Sequence, residues 1–187
     1  MKFLEARSKS EAELKQITDT YLQSSAGYAA VTYLLAIGDR HLENLMVQDS
    51  GHLFHIDFGY ILGKNPPNKD RWVPPIRINE PMVKGMGGID SKGYAEFKQK
   101  TIDAIIHLRN YRQLILNILL LMTNAGMADL TEVEAERTLG QLNDRFLPNM
   151  RPAQAREKFA ELIDDSVNAS FAEYMEYAHR LAVWFKY

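Results

Sequence analysis

Residues 45–48 (Leu-Met-Val-Gln) and 52–56 (His-Leu-Phe-His-Ile) are short apolar-alternating runs on either side of Asp49-Ser50-Gly51. Such runs around a Ser-Gly pair specify a β-hairpin. A hairpin turning at Ser50 and Gly51 sets Asn44 opposite Asp57. Paired strands lie about 4.8 Å apart, so both side chains reach one point. An amide oxygen and a carboxylate converging there suit a hard, oxygen-seeking cation such as Mg²⁺. Asp39 and His41 lie just upstream. A base or acid beside such an ion is the apparatus of phosphoryl transfer.

The rest of the chain reads as helix and irregular loop. Ser10 with Glu13 is a capping box, and Leu14, Ile17 and Tyr21 share one face of the helix it opens. Residues 26–37 are apolar nearly all round, which predicts a buried helix. Pro66, Pro67, Pro74 and Pro75 exclude regular structure over residues 59–79. Helices are predicted to resume near Glu80, Tyr94, Asn110, Thr131, Pro152 and Asp165. The apolar stretch 114–122, interrupted by Asn117, is too short for a bilayer span, which needs about 20 residues, and reads as a core helix.

At 187 residues with 46% hydrophobic content, one compact domain with a real core is expected. A net charge of −2 argues against a nucleic-acid partner. The chain has no cysteine, so no disulfide contributes, and a reducing compartment is compatible. The charged residues after Met1-Lys2-Phe3-Leu4 leave no visible signal peptide.

Asp39-Arg40-His41-x-x-Asn44 followed by Asp57-Phe58-Gly59 resembles the phosphatidylinositol 3-kinase and 4-kinase superfamily. Protein kinases carry His-Arg-Asp with a longer spacing to the asparagine, so the reversed order is specific. Several further strings look like the class III, Vps34-type branch: Ser25-Ala26-Gly27-Tyr28, Phe54-His55-Ile56-Asp57-Phe58-Gly59-Tyr60-Ile61-Leu62-Gly63, Gly85-Met86-Gly87-Gly88 and Asp164-Asp165-Ser166-Val167. The resemblance implies a mainly α fold with a small β-hairpin, the C-terminal lobe of a protein-kinase-like fold spanning residues 1–187. It places a catalytic loop at about 37–45, an activation loop at about 56–79 and a C-terminal helix at about 166–187. Such kinases also have an N-terminal lobe with a phosphate-covering loop and a lysine on a strand. The first 37 residues read as two helices, so the expectation is a C-lobe that lacks activity in isolation.

By resemblance, Asp39 and His41 handle the proton of the attacking hydroxyl and the γ-phosphate. His has the more suitable ordinary pKa and Asp would need a raised one, so either remains the base at this point. Taken alone, Asp-Arg-His is most often a surface turn. Arg40 belongs to the same catalytic string but is expected to act structurally, paired with a carboxylate. Asn44 and Asp57 are the metal ligands, for Mg²⁺ or Mn²⁺ accompanying ATP. Glu43 departs from the class III pattern, which has Asp before the asparagine. The cations of the activation loop, Lys64, Lys69, Arg71 and Arg77, would contact the lipid headgroup. They are sparse, and phosphates demand cations at close range, so phosphatidylinositol itself is favoured over bisphosphorylated lipids. The loop is also a few residues longer than usual around 68–72. His52, His107 and His179 have no partners at metal-ligand spacing, whereas His55 could face the site.

Near the end of the chain, Phe171, Tyr174, Met175, Ala178, Leu181, Ala182 and Phe185 follow helical spacing. Spacing alone favours a helix packed on the core. The resemblance instead makes Trp184, Phe185 and Tyr187, beside Arg180 and Lys186, a membrane contact. It further implies peripheral association with endosomal or autophagic membranes from the cytoplasm, and regulatory protein subunits. The expected activity is ATP-dependent phosphorylation of the 3-hydroxyl of phosphatidylinositol. The alternatives are a phosphatidylinositol 4-kinase, or a non-catalytic fragment that binds lipid or a partner.

Overall fold

The computed structural model describes residues 2–66, 74–125, 130 and 132–184, the side chains of 2, 3, 124, 132 and 171–184 excepted. A short helix α1 (Lys2–Glu5) leads into α2 (Glu11–Leu34), the 24-residue helix around which the molecule is built. Ser10 caps α2, its Oγ accepting from the Glu13 amide at 3.2 Å. The returning Glu13 carboxylate takes the Lys9 amide at 2.6 Å, one residue before the cap. Ile17 and Tyr21 are buried as their spacing predicts. From Ser25 onward α2 is buried on nearly every side, which explains why it carries small and apolar residues there.

Strands β1 (Leu45–Val47) and β2 (Leu53–His55) pair antiparallel, with Leu45 opposite His55 and Val47 opposite Leu53. The register differs by one residue from the sequence expectation. The turn is a three-residue loop, not a two-residue one: Gln48 donates to the His52 carbonyl at 2.9 Å, and Gly51 donates to the Gln48 carbonyl at 2.9 Å. Gly51 takes φ +90°, the left-handed residue that such loops require. A Cβ on Gly51 would stand 2.1 Å from the Ile17 carbonyl oxygen, so the tip of the hairpin lies directly on α2. The Leu53 amide donates to Ser24 Oγ at 2.9 Å, and Arg7 pairs with Asp49 at 2.8 Å. These contacts dock the hairpin along α2.

The remaining helices are α3 (Glu80–Gly85), α4 (Lys92–Arg109), α5 (Arg112–Leu121), α6 (Glu132–Arg145) and α7 (Pro152–Trp184). α4 packs along α2, and α7 packs on α4 and α3. Leu22, Phe97, Ile105, Phe159 and Ile163 fill the main core. A smaller cluster joins Ala36, Leu62, Leu130, Ala135 and Leu142, with Ile61, Leu116, Leu119 and Leu139 against it.

Two expectations need correction. The segments beginning at Pro152 and Asp165 form one 33-residue helix, about 50 Å long. A helix was expected to begin near Asp165, but the chain is already helical there: Ser166 Oγ donates back to the Leu162 carbonyl at 2.6 Å and the Asp164 carboxylate takes Lys98 at 2.7 Å. Neither caps anything. The apolar stretch 114–122 is not a core helix either, because α5 has no fully buried residue. Its inner side lies over the smaller cluster and its outer side faces solvent.

Candidate active site

The catalytic-loop segment leaves α2 through Ala36, at φ +48°. Asp39 follows at φ +52°, and residues 42–44 make one 3-10 turn before β1. On the returning strand Asp57 sits at φ +58° and Leu62 at φ +56°. Left-handed backbone is costly for side-chain-bearing residues, least so for aspartate. Four such residues therefore gather around one site, where surrounding bonds must hold them.

Those bonds are visible. Gly38 donates to the Tyr60 carbonyl at 2.8 Å, Leu62 to Leu35 at 3.0 Å, and Gly63 to Ala36 at 3.0 Å. Residues 60–63 are thus stapled to residues 35–38. Gly38 permits the approach, since a Cβ there would lie 2.5 Å from the Lys64 carbonyl oxygen. Arg40 completes the bracket. Its Nε donates to the Gly38 carbonyl at 2.7 Å, its Nη1 to the Ile56 carbonyl at 2.9 Å and its Nη2 to the Asp57 carbonyl. Its guanidinium also lies over the Phe58 ring, 5.3 Å from the centroid. Arg40 was expected to pair with a carboxylate, yet these bonds go to carbonyls. Burial pushes its pKa down, and the Asp39 and Asp57 carboxylates oppose that shift.

The one-residue register change sets Ile56, not Asp57, opposite Asn44: the Ile56 amide donates to the Asn44 carbonyl at 3.0 Å. Asp57 lies one residue beyond the pairing, and its left-handed backbone re-aims the exposed carboxylate. One of its oxygens, Oδ1, accepts from the Gly59 amide at 3.1 Å. Asn44 is buried, and its Nδ2 donates to the Asp39 carbonyl at 2.9 Å. The same nitrogen lies 3.3 Å from His41 Nε2, a hydrogen bond when Nε2 is the unprotonated ring nitrogen. With Nδ2 so engaged, the amide oxygen is the atom of Asn44 suited to a cation. Asp39 Oδ2 lies 3.6 Å from His41 Nε2, and Glu43 Oε2 lies 3.9 Å from His41 Nδ1. Glu43 was read only as a departure from pattern. A carboxylate two residues from a histidine was the signal that it could orient the ring.

Among the described residues, no three His, Cys, Asp or Glu side chains cluster as a metal cage. One amide oxygen and one carboxylate do fit Mg²⁺, which retains waters and binds through few protein ligands plus substrate phosphates.

The other predicted site residues fall as follows. His55 is 4% exposed and turns inward onto the Tyr28 ring, with centroids 4.9 Å apart, rather than toward the site. Neither ring nitrogen has a hydrogen-bond partner among the described residues. Burial first, and Arg40 second, lower its pKa to about 4. Lys64 lies 3.7 Å from Glu134. Arg77 donates through Nε to the Ile37 carbonyl at 3.4 Å, tying the far end of the activation loop to the catalytic loop. Burial, then Arg145 and Arg40, bring its pKa down to about 10. Lys69, Arg71, Phe185 and Tyr187 lie outside the described residues. Trp184 ends α7, and its side chain lies outside them as well. Sequence reasoning missed the outward face of the hairpin, where Met46 and Ile56 are exposed beside Asn44 and Asp57.

A sequence model of the family described as phosphatidylinositol 3- and 4-kinase matches residues 1–132. The chain is 39% identical over 168 residues to the phosphatidylinositol 3-kinase pik3 of Schizosaccharomyces pombe, covering 90% of this chain and 20% of that protein. It is 38% identical over 168 residues to the phosphatidylinositol 3-kinase VPS34 of Arabidopsis thaliana, with the same coverage. It is 35% identical over 170 residues to the phosphatidylinositol 3-kinase VPS34 of Saccharomyces cerevisiae, covering 91% of this chain and 19% of that protein. The chain spans about a fifth of the length of these relatives.

Proposed function

Because the chain belongs to the phosphatidylinositol 3- and 4-kinase family, we propose that it carries the metal, proton-transfer and headgroup elements of an ATP-dependent phosphatidylinositol 3-kinase. The observation that carries this reading is the gathering of Asp39, His41, Asn44 and Asp57 at one mouth of the hairpin, braced by Arg40.

Asn44 and Asp57 would hold the divalent ion, which neutralises charge on the transferring phosphoryl group. His41 is the base. In the neutral ring Nε2 accepts from Asn44, so that hydrogen bond is given up when the nitrogen takes the proton. After taking the proton of the lipid hydroxyl, the ring gains the Asp39 carboxylate as a counter-charge at 3.6 Å. Glu43 steadies the opposite nitrogen. Met46 and Ile56 supply an apolar floor for the nucleotide base. Lys64, Lys69, Arg71 and Arg77 belong to the loop that meets the headgroup, and their sparseness suits unphosphorylated phosphatidylinositol. The strand lysine and the phosphate-covering loop are assigned to an N-terminal lobe. Peripheral residence on endosomal or autophagic membranes, a contact through Trp184, Phe185 and Tyr187, and regulatory subunits belong to the same reading. The 4-kinase alternative draws no support from the relatives named above, all called 3-kinases.

The test is a chimera in which this chain replaces the matching segment of the Schizosaccharomyces pombe relative. Labelled ATP and a water-soluble short-chain phosphatidylinositol should give the 3-phosphate. His41→Ala should cut turnover at least ~10²-fold with little change in ATP affinity. A 4-phosphate product would replace the assignment with a 4-kinase. A folded chimera without product would leave the non-catalytic reading.

A further inference from the structure

We propose that Arg77 and Arg145 together hold a phosphate group beside the C-terminal end of α2. Arg145 closes α6, and its Nη1 donates to the Tyr33 carbonyl at 2.8 Å. Its guanidinium lies over the Tyr33 ring, 5.3 Å from the centroid, and the Tyr33 hydroxyl donates back to the Arg145 carbonyl at 3.0 Å. Arg77 arrives with the end of the activation loop. Its Nε donates to the Ile37 carbonyl, four residues beyond Tyr33. Two guanidinium groups from distant segments therefore hang on one short stretch of backbone, away from Asn44, Asp57 and His41 in the chain.

A helix C-terminus carries roughly half a negative charge, which one arginine already answers. Two half-buried arginines overshoot it. Burial, and then the Arg145 charge, bring the Arg77 pKa down to about 10, which still leaves it positive at neutral pH. No acid relieves the pair. Among the described residues neither guanidinium meets a carboxylate. Buried Glu80, three residues after Arg77, pairs with Lys84, and Asp144 is exposed. Tyr33, its pKa pushed up to about 12 by burial, stays neutral. Like charges held together half out of water call for a shared anion. Nη1 and Nη2 of Arg77, and Nε and Nη2 of Arg145, make no hydrogen bond among the described residues, and none is sealed in the interior. Two planar forks suit the several oxygens of a phosphate, whereas a carboxylate or chloride would leave one fork unanswered. The phosphate is either free or the diester of a lipid headgroup. Only the second source rests on the lipid-kinase reading.

The experiment titrates inorganic phosphate into the purified 187-residue chain. EDTA is present, so no divalent ion draws phosphate to Asn44 and Asp57. Arginine-selective NMR spectra follow the Nε–H signals, assigned through Arg77→Lys and Arg145→Lys. The Arg77 and Arg145 signals should shift together along one saturable curve. Arg77→Gln, read at the Arg145 signal, should weaken phosphate binding at least ~10-fold, and Arg77→Lys less. Arg145→Gln should do the same at the Arg77 signal; if it melts early through loss of its bond to Tyr33, Arg77→Gln decides alone. Glycerophosphoinositol is the second titrant. Tighter inorganic phosphate assigns the site to free phosphate, and a tighter diester assigns it to the lipid headgroup; either upholds the site. Unmoved arginine signals overturn it. So do shifts reproduced by sodium chloride at equal ionic strength, and an Arg145 signal that responds in Arg77→Gln as in the parent. Since no turnover is read, failure here leaves the chimera's result on soluble lipid untouched.

Discussion

At the scale of single residues, backbone conformation separates chemistry from stability at Asp57. Its left-handed φ is tolerated by Asn as well as Asp, but poorly by a β-branched residue. Asp57→Asn should therefore abolish transfer in the chimera and leave the melting curve in place. Asp57→Val should lose transfer and about 1–2 kcal/mol of stability, measured by urea unfolding. His55 gives a second prediction. Its folded pKa of about 4 lies below the ordinary 6.5, so the native state holds the neutral ring. The stability it contributes is present above pH 6.5 and is lost as pH falls toward 4, because only the unfolded chain takes up the proton. Between pH 7 and pH 5 the loss is about 2 kcal/mol. His55→Leu should flatten that part of the stability–pH curve; an unchanged slope would assign the loss to other groups. The motif strings singled out Asp39, His41, Asn44 and Asp57 as candidates without coordinates. Arg40 was legible as a structural residue but its partners were not, since a bond to a carbonyl leaves no trace in spacing.

At the scale of elements, the errors of sequence reading have specific causes. Hairpin existence was readable, but register depended on whether the turn held two residues or three, and Gly51 serves either. Its close approach to Ile17 makes Gly51→Ala costly twice over, through φ +90° and through a contact at 2.1 Å. The substitution should destabilise by about 2–4 kcal/mol and disturb the hairpin amides most in exchange experiments. Helix boundaries followed caps where the cap side chain bonded locally, as at Ser10, Asn79 and Ser91. They failed near Asp165, where the neighbouring Ser166 hydroxyl is claimed by its own helix and by another segment. The apolar stretch of α5 was misplaced because hydropathy does not say which half of a helix finds a partner.

At the scale of the molecule, α2 and α7 act as the two rails between which the site hangs. α2 carries the hairpin and the root of the catalytic loop, and α7 holds the far end of the activation loop. The Ile76 amide donates to Ser166 Oγ at 3.2 Å, both being fully buried. Ser166→Ala strands that amide and should cost about 1–3 kcal/mol, with faster hydrogen exchange at Ile76 than at the hairpin. Equal exchange at Ile76 would place the anchor elsewhere, for instance at the Arg77 bond to Ile37. The double anchorage has an evolutionary consequence. The activation loop is a closed excursion whose two ends stay fixed whatever happens between them. Lengthening such an excursion costs only about 0.6 kcal/mol for each doubling. Insertions and exchanges between Gly63 and Pro74 can therefore accumulate without moving Asp39, His41, Asn44 or Asp57, so that, on the function proposed above, the loop meeting the headgroup would be an interchangeable cassette on a centre that need not be rebuilt.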